Sequence, residues 1–196
     1  MSTIEMVAVA FGLLNVGLII RRSVWNYPFG LAMVALYAWI FWGVKLYSDM
    51  LLQLFFFVVQ IFGWINWLAH RQGDGLIMPK LLRMPSRWLS VLLTALGAGL
   101  LGWIMQGWTD ASMPYWDAVI AAMSVTAQIL LSMRRLESWL FWIATDIVAI
   151  GVFWSKDLQL TAALYVVFLA LAVVGLRVWW LCLNAKSAPS GLRTAA

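Results

Sequence analysis

Residues 138–154 read Ser-Trp-Leu-Phe-Trp-Ile-Ala-Thr-Asp-Ile-Val-Ala-Ile-Gly-Val-Phe-Trp, an apolar run that approaches the length of a membrane span. Its one ionisable residue, Asp146, lies close to the centre of the run. A charged side chain at the centre of a membrane helix costs at least about 2.5 kcal/mol, and such residues face protein or a water-filled path. We therefore expect Asp146 to face the interior of a helical bundle.

Two tryptophans share a helix face with this carboxylate. At about 100° per residue, Trp139, Trp142 and Asp146 point in one direction. A carboxylate favours a cation, and an indole face stacks on a flat ring, more strongly when that ring is positive. The pattern predicts a site for a flat, cationic organic molecule at mid-membrane depth. The alternative is a tryptophan-rich helix that faces lipid, with its aspartate neutral or bonded to a neighbouring helix.

The composition of the whole chain excludes a soluble fold. Of the 196 residues, 64% are hydrophobic and 11% are charged, and the mean hydropathy is +0.90, whereas soluble domains carry about 25% charged residues. The apolar runs have spanning length and little strand-like alternation, so the spans are predicted to be helices. The single cysteine excludes a disulfide framework, and with one histidine the sequence predicts no metal and no cofactor.

Seven apolar runs predict an all-α integral membrane protein with seven transmembrane helices. The predicted runs are 4–20, 28–44, 50–69, 88–104, 116–133, 138–154 and 159–183. The longest connection, 70–87, contains two glycines and two prolines and is the one linker-like segment.

The basic residues indicate the orientation of these helices. With the N-terminus outside, eleven of the 13 lysines and arginines fall in the inside loops and in a C-terminal cytoplasmic tail, 184–196, which is a strong positive-inside bias. These eleven are Arg21, Arg22, Arg71, Lys80, Arg83, Arg87, Arg134, Arg135, Arg177, Lys186 and Arg193. The other two basic residues, Lys45 and Lys156, lie in the predicted outside loops. Because the basic loops face anionic lipid, the pI of about 9.7 does not indicate nucleic-acid binding.

A spacing of 112 residues relates two halves of the chain. The third run ends Gly63-Trp-Ile-Asn-Trp67 and the seventh ends Gly175-Leu-Arg-Val-Trp179, with the same Gly-x-x-x-Trp spacing. This predicts two triple-helix units, 4–69 and 116–183, which share one orientation because a single linker helix, 88–104, connects them. Such a 3+1+3 parallel repeat is SWEET-like, with substrate between the halves at mid-depth. The alternative is a chance match between frequent residues.

Two polar stripes run along the predicted helices. The stripe in the third run consists of Asp49, Gln53, Gln60, Trp64 and Trp67. The stripe in the fifth run consists of Asp117, Ser124, Gln128 and Arg135. Polar groups in lipid need partners, so the two stripes predict a path through the protein. The alternative is hydrogen bonding that only joins helices, at about 0.6 kcal/mol per bond on average.

The second run opens with Asn26 and Pro28. Proline suits the first turn of a helix and asparagine can cap it, so capping is the favoured interpretation and a gate or substrate contact is the alternative. The chain contains no H-E-x-x-H, G-x-S-x-G or Walker A motif, so the sequence does not predict an enzyme.

Five blocks carry a family resemblance: Trp25-Asn-Tyr-Pro-Phe-Gly30, Lys45-Leu-Tyr-Ser-Asp49, Gln53, Gln60-Ile-Phe-Gly63-Trp-Ile-Asn-Trp67 and Trp139-x-x-Trp142-x-x-x-Asp146. In this order they resemble the PnuC family of nicotinamide riboside transporters, over about residues 21 to 180. The resemblance implies seven helices in a SWEET-like 3+1+3 arrangement, assembled as a homotrimer in the cell inner membrane. It also implies vitamin uptake by facilitated diffusion for NAD biosynthesis, with trapping by a separate cytoplasmic kinase.

The resemblance places Trp139 and Trp142 at the ring of the substrate and Gln60 and Gln128 near its polar groups. Glutamine amides suit a carboxamide or sugar hydroxyls, and the tryptophans of the stripes offer further stacking faces. The complete predicted site comprises Trp139, Trp142, Asp146, Gln60, Gln128, Trp64, Trp67, Asn66, Gln53 and Ser124. The predicted gating or structural residues are Asn26, Pro28 and Asp49.

The residues leave both the substrate and the class of function open. Nicotinamide riboside is the first choice of substrate, and thiamine or another vitamin precursor is the second. The residues do not separate nicotinamide riboside from thiamine, because both are cationic aromatics. Asp146 also permits a proton-coupled variant of the transport mechanism. In the remaining alternative the chain is a structural or signalling membrane protein whose polar stripes only join helices.

Overall fold

The computed structural model describes residues 3–43, 45, 47–109 and 112–187, and most of them are helical. The helices are α1 Thr3–Ile20, α2 Asn26–Gly43, α3 Tyr47–Ala69, α4 Met84–Trp108, α5 Pro114–Ser132, α6 Glu137–Ser155 and α7 Gln159–Ser187. The prediction of an all-α protein with seven helices is confirmed. Most of the predicted tail, residues 188–196, lies outside the described residues.

Two helices extend further than the apolar runs predicted. Helix α4 begins at Met84 and not at residue 88, with Pro85 in its first turn, where the missing N–H removes no helical hydrogen bond. Helix α7 continues beyond residue 183 to Ser187. The predicted bounds followed apolar character, whereas a helix keeps its hydrogen bonds after it leaves the roughly 30 Å hydrocarbon core.

Six of the described helices are long and apolar enough to cross a membrane. These spans are Thr3–Ile20, Asp49–Ala69, Met84–Trp108, Pro114–Ser132, Glu137–Ser155 and Gln159–Ala185. Helix α2 also has 18 residues, but its tyrosines, tryptophans, Asn26 and Pro28 reduce its apolar character. It packs between α1 and α3 as an equal member of the bundle. A seventh membrane crossing stays a prediction, which this packing supports.

Six of the seven helices form a closed ring. The order around the ring is α1, α2, α3, α5, α6 and α7, and α7 packs against α1 to close it. Helix α4 lies outside the ring and packs along α5, where the Thr94 and Thr126 hydroxyls are hydrogen-bonded at 2.7 Å. The interior of the ring is therefore enclosed by helices on every side.

One end of the bundle, which we call the basic end, carries the α1–α2 turn, the 70–83 loop and the α5–α6 turn. The loop joins the two turns, because the Ile77 N–H donates to the Arg22 carbonyl at 3.1 Å and the Lys80 N–H donates to the Arg134 carbonyl at 2.9 Å. Both arginines have a φ of 61°, a left-handed conformation that is uncommon outside glycine. The loop therefore ties together two turns of unusual and matching geometry.

The ring has two seams at which residues of 3–69 meet residues of 112–187, and both carry the same hydrogen bond. Where α3 meets α5, the Trp67 indole donates to the Leu131 carbonyl at 3.1 Å. Where α7 meets α1, the Trp179 indole donates to the Ile19 carbonyl at 3.1 Å. The donors are 112 positions apart (179 − 67) and so are the acceptors (131 − 19). Each seam is thus held by an indole on one side and a backbone carbonyl on the other.

Two glycines at the same spacing each accommodate an aromatic ring. A Cβ on Gly63 would lie 2.5 Å from the Tyr27 hydroxyl, and a Cβ on Gly175 would overlap the ring of Trp139. The rings that meet here form an aromatic cluster near the basic end, which consists of Tyr27, Trp67, Trp139 and Trp179. Neighbouring rings in the cluster have centroids 5.3 to 6.0 Å apart. The glycines are required because any side chain would push these rings away from α3 or α7.

Candidate functional site

The carboxyl group of Asp146 is buried at the middle of the bundle. Asp146 is the central residue of α6, Glu137–Ser155, and is only 4% exposed, so it faces protein and not lipid. Within the described part of the chain it has no hydrogen bond and no ion pair. A buried charge without a partner is costly. The group is therefore placed to bind a cation or to take up a proton.

A tyrosine that sequence reasoning missed lies near this carboxyl group, and a second tyrosine interacts with the first. Tyr165 of α7 interacts electrostatically with Asp146 of α6 and with Tyr37 of α2, although α1 separates α2 from α7 around the ring. Phe153 and Phe168 contact Tyr165 with ring centroids 5.2 and 6.1 Å away. The interior beside Asp146 is thus lined by aromatic rings. A tyrosine in an apolar run gives little signal, because interfacial tyrosines look the same.

An amide pair lies across α1, α2 and α3. Gln60 of α3 and Asn15 of α1 are both buried, and both reach Gly30 of α2, where a Cβ would lie 2.5 Å from the Asn15 Nδ2 and closer still to the Gln60 Oε1. Asn15 Nδ2 donates to the Asn26 carbonyl at 2.7 Å. Gln60 has the predicted inward position. Asn15 was missed, although it is the one amide in the first apolar run.

Helix α5 contributes two buried polar side chains of its predicted stripe. Ser124 and Gln128 lie one turn apart, and both are buried. The Ser124 hydroxyl donates to the Ile120 carbonyl of its own helix at 2.8 Å. The Gln128 amide has no hydrogen-bond partner among the residues that the structure describes. Gln128 is therefore available for a polar group of a ligand.

Two of the predicted tryptophans, Trp67 and Trp139, belong to the aromatic cluster near the basic end. The indole of Trp67 is fully buried, and its N–H is already used at the α3–α5 seam. Trp139 packs against Gly175 and meets Trp179 edge-on, and its N–H is buried without a hydrogen-bond partner. Both rings therefore close the interior toward the basic end, and their predicted contact with a ligand stays a prediction.

The other two predicted tryptophans, Trp64 and Trp142, are less enclosed. Both are partly buried and pack against the buried core that includes the aromatic cluster. Trp142 lies one turn before Asp146 on α6 and one turn after Trp139 of the aromatic cluster, on the same face of the helix. Among the predicted stacking residues, Trp142 combines proximity to the buried charge with a face that the packing leaves partly uncovered.

The outer members of the α3 stripe lie away from the buried carboxyl group. Gln53 lines a cavity of about 420 Å³ between α2 and α3, together with Trp39, Trp42 and Phe57. Asp49, one turn further out, is exposed. Of the polar side chains in the α3 stripe, Gln60 is buried, whereas Gln53 lines this cavity and Asp49 is exposed.

The ends of the α5 stripe are used in contacts within the protein. Asp117 forms an ion pair with Lys156 at 2.8 Å, at the end of the bundle opposite the basic end. Arg135 donates to the Leu81 carbonyl at 3.1 Å. These two interactions join the α5 stripe to α6 and to the 70–83 loop, so only the middle of the stripe, Ser124 and Gln128, faces the buried interior.

Three further predicted residues have structural contacts. Asn26 is buried, donates to the Ser23 carbonyl at 2.6 Å and so holds the turn before α2, with Pro28 in the first turn. Asn66 donates to the Ser132 carbonyl at 2.8 Å and joins α3 to α5. These bonds support the structural interpretation of Asn26 and Pro28, and a gating role for them stays a prediction.

A buried arginine closes the basic end of the interior. Arg134 is 5% exposed and interacts electrostatically with Tyr27, whose hydroxyl is buried without a hydrogen-bond partner. Burial, and secondly the like charge of Arg135, lowers the pKa of Arg134. A positive charge beside the aromatic cluster disfavours a cation there, so in this conformation a cationic ligand is better held at the level of Asp146.

Within the described ranges, no group of three or more His, Cys, Asp or Glu side chains could hold a metal ion. The chemistry of the interior is instead that of a non-covalent site, with one carboxyl group, several amides and aromatic faces. Such a site can bind and release a ligand that is flat, positive and rich in hydrogen-bonding groups.

Comparisons with known proteins cover nearly the whole chain. The sequence model of the nicotinamide mononucleotide transporter family matches residues 2–181. The nicotinamide riboside transporter PnuC of Escherichia coli (strain K12) is 28% identical over 204 residues, which cover 91% of this chain and 85% of the relative. The riboflavin/roseoflavin transporter RibM of Streptomyces davaonensis is 24% identical over 188 residues, which cover 94% of this chain and 88% of the relative.

The fold is also similar to that of a solved transporter. A crystal structure of the vitamin B3 transporter PnuC aligns with a TM-score of 0.75 and 27% sequence identity, over 93% of this chain and 82% of that chain. Together with the six apolar helices of spanning length, these similarities identify a multi-pass membrane protein.

Proposed function

We propose that this chain, which belongs to the nicotinamide mononucleotide transporter family, carries nicotinamide riboside across the cell inner membrane by facilitated diffusion. The observation that carries the proposal is the carboxyl group of Asp146, buried at the centre of α6 with no hydrogen bond and no ion pair within the described ranges. Nicotinamide riboside has a flat, positively charged pyridinium ring, which a buried carboxylate stabilises. The proposed activity is transport, and no chemical step is assigned to the chain.

The side chains around Asp146 suit the remaining parts of this substrate. The partly uncovered ring of Trp142 offers a stacking face for the pyridinium. The amides of Gln60 and Gln128 come from different helix triplets, α1–α3 and α5–α7. They are available to the carboxamide and the ribose hydroxyls of the substrate. Asn15 of α1 and Gln60 both lie against Gly30 of α2. The proposed site thus draws on α1, α3, α5 and α6, so it depends on the closed ring.

We further propose a SWEET-like 3+1+3 arrangement with units 4–69 and 116–183 and a linker helix that includes 88–104. Support comes from the equivalent hydrogen bonds at the two seams and from the two glycine–aromatic contacts, all at a spacing of 112. The position of α4 outside the ring, against α5, suits a linker helix. In parallel repeats of this kind the substrate lies between the two units at mid-depth, which agrees with the burial of Asp146 at the centre of α6.

Transport is proposed to proceed by rocking of the two triplets about the site. Among the described helices, the triplets α1–α3 and α5–α7 pack against each other at the α3–α5 and α1–α7 seams. Each seam has one indole-to-carbonyl bond that can break and re-form. In the described conformation the aromatic cluster and Arg134 close the basic end. Opening the seams at that end would release a substrate held beside Asp146.

The orientation and the partners of the protein belong to the same proposal. From the positive-inside bias of the arginine-rich loops, we propose that the basic end and the C-terminus lie in the cytoplasm and the N-terminus lies outside. A passive carrier only equalises concentrations, so accumulation requires a separate cytoplasmic kinase that phosphorylates the substrate and traps it. We also propose a homotrimer, since the lipid-facing helices carry many large exposed apolar side chains that a second copy could cover.

A second candidate substrate is thiamine or another vitamin precursor. The similarity to RibM, a riboflavin/roseoflavin transporter, extends over 94% of this chain, so the fold alone does not select the ligand. Thiamine is cationic and aromatic, whereas riboflavin is uncharged. If thiamine inhibited uptake of labelled nicotinamide riboside as strongly as unlabelled nicotinamide riboside does, thiamine would be favoured as a substrate. If uptake required Asp146, the uncharged riboflavin would be disfavoured.

The experiment is uptake of labelled nicotinamide riboside into proteoliposomes that contain the purified protein, with and without a pH gradient. We expect saturable uptake that stops when the inside and outside concentrations are equal, and no change when a pH gradient is imposed. Protein-free liposomes are the control. Accumulation above the outside concentration, driven by the pH gradient, would replace the passive mechanism with the proton-coupled variant at Asp146.

The alternative from another class is a structural or signalling membrane protein. It predicts no uptake of any vitamin precursor and no heat of binding when nicotinamide riboside, thiamine or riboflavin is titrated into the purified protein. In that case substituting Trp142 or Asp146 would alter only the thermal stability. Absence of both uptake and binding heat in a folded sample would overturn the proposed function.

A further inference from the structure

A second cavity lies on the outer surface of the ring at the basic end. It has a volume of about 500 Å³ and is bounded by the 70–83 loop, the start of α4, α6 and α7. Its apolar wall is formed by Leu140, Val173 and Leu176, and its polar rim contains Arg87, Glu137 and Arg177. A cavity that combines apolar and charged side chains at the end of membrane helices suits an amphipathic ligand.

The charges at the rim do not cancel. The carboxylate of Glu137 is 2.8 Å from Arg87 and also accepts the Leu82 N–H at 3.1 Å. Glu137 is therefore fully engaged with Arg87 and the loop. Arg177 has neither an ion pair nor a hydrogen bond with any residue that the structure describes. The rim thus carries one net positive charge, because Glu137, the carboxylate of the rim, is already paired with Arg87.

The position of Arg177 on α7 is a second reason to expect an anionic ligand at the rim. Arg177 is exposed on α7, within the apolar span Gln159–Ala185. A charged side chain on the lipid-facing surface of a membrane helix requires an opposite charge or access to the headgroup layer. Trp180, three residues further along the same face, is half exposed and lines the cavity. A tryptophan of this kind typically marks the depth of the headgroups, so Arg177 lies where lipid phosphates are found.

We propose that this cavity binds an anionic phospholipid of the surrounding membrane. The phosphate lies between Arg177 and Arg87, and an acyl chain follows the wall of Leu140 and Val173. Basic pockets between membrane helices on the cytoplasmic side commonly bind anionic headgroups. A second copy of this chain is a poorer occupant, because Asp74 and Glu137 are the only acidic residues in segments at the basic end, and Glu137 is already paired.

The test is native mass spectrometry of the full-length protein in detergent, titrated with phosphatidylglycerol or phosphatidylcholine. Wild type is expected to retain phosphatidylglycerol in preference to phosphatidylcholine. Arg177→Gln is expected to weaken phosphatidylglycerol binding about fivefold, which corresponds to one basic residue near a membrane surface, and Arg177→Lys is expected to retain most of it. Excess inorganic phosphate is expected not to displace the lipid, because it cannot occupy the apolar wall.

Arg21→Gln is the matched control, since it removes another exposed arginine from the basic end, on the α1–α2 turn and outside the cavity. It is expected to leave lipid binding unchanged. Leu140→Trp keeps every charge and fills the cavity, because Leu140 lines it and is half exposed. This variant is expected to lose the lipid as well, and it keeps the proposal testable if Arg177→Gln does not yield folded protein.

Three outcomes would overturn the proposal. The first is equal retention of phosphatidylglycerol by wild type, Arg177→Gln and Leu140→Trp. The second is displacement of the lipid by inorganic phosphate, which would indicate a site for the free anion. The third is a change in the number of chains per particle with no change in bound lipid, which would assign the cavity to a contact between copies.

Discussion

At the scale of single residues, the site depends on a few side chains that the packing leaves without partners. Asp146 is 4% exposed and has no ion pair within the described ranges, so its interactions are reserved for a ligand or a proton. Gln128 is similarly buried without a hydrogen bond to the described residues. A structural role would have given these groups partners, as it has for Asn26 and Asn66.

The contact of Gln60 and Asn15 at Gly30 gives the first prediction. Gly30→Ala would place a methyl group on both amides and is expected to weaken binding of nicotinamide riboside about tenfold, because forced overpacking costs about 1–3 kcal/mol. Isothermal titration calorimetry on the purified protein measures the effect. Gly151→Ala is the control, since its Cβ would meet nothing within 4 Å. Unchanged affinity in Gly30→Ala would place the ligand elsewhere.

The stacking face of Trp142 gives the second prediction. Trp142→Ala is expected to weaken binding by about 1–3 kcal/mol, the range for the loss of a ring that stacks on a base-like ligand or a cation. Trp142→Phe is expected to retain part of the affinity. Trp154→Ala, on the same helix at a position 65% exposed, should bind as wild type does. Equal affinities for all three variants in a fluorescence or calorimetric titration would remove Trp142 from the site.

Sequence reasoning identified part of this site and missed part of it. Helical spacing places Asp146, Trp139 and Trp142 on one face, and the structure shows that this face is turned inward. Spacing within one helix does not tell which helices are neighbours across the ring. Tyr165 and Asn15 were therefore missed, because their significance depends on contacts with other helices.

At the scale of elements, the two seams determine how the helices are held together. The bonds from Trp67 to Leu131 and from Trp179 to Ile19 have the same length, 3.1 Å, and join the same pairs of helix positions. The proposed rocking of the two halves would break and re-form the same kind of indole-to-carbonyl bond at each seam. This property suits a carrier that opens alternately at its two ends.

These bonds give the third prediction. Trp67→Phe and Trp179→Phe are each expected to lower the free energy of unfolding by about 0.6–1.7 kcal/mol, the range for an interhelical hydrogen bond in a membrane, in addition to any effect of the smaller ring. Thermal unfolding in detergent measures the loss. Trp180→Phe, a half-exposed neighbour on α7, is the control. A large loss in one seam variant and none in the other would contradict the equivalence of the seams.

The bounds of the elements were largely predictable, and the turns were not. Apolar runs located every helix within a few residues, because spanning length and composition are properties of the local sequence. The left-handed conformation of Arg22 and Arg134 has no local signal, since arginine rarely adopts it without support. That support comes from Ile77 and Lys80, which lie far away in the sequence.

At the scale of the whole molecule, a closed ring of six helices encloses the polar residues and leaves large apolar side chains outside. Trp39, Trp88 and Trp103 are each more than 60% exposed, as expected for a surface in lipid and at its interfaces. A soluble protein could not leave so much apolar area uncovered. The exposed faces therefore remain available for lipid and for other copies of the chain.

The proposed homotrimer gives the fourth prediction. Multi-angle light scattering of the detergent-purified protein, corrected for bound detergent, is expected to give a protein mass near three times 22.1 kDa. The expectation rests on the family resemblance and on the extent of the exposed apolar faces. A mass of 22.1 kDa that still supports uptake in proteoliposomes would show that a single ring is the functional unit.

The central claim is that the buried carboxylate of Asp146 holds a positively charged substrate, and calorimetric titration of nicotinamide riboside tests it directly. Asp146→Asn keeps the shape of the side chain and removes its charge, so binding is expected to be about 30-fold weaker or more, since removal of one partner of a buried charge pair costs about 2–5 kcal/mol. Asp157→Asn makes the same chemical change at an exposed turn and is expected to bind as wild type does. Wild-type affinity in a folded Asp146→Asn variant would contradict the claim.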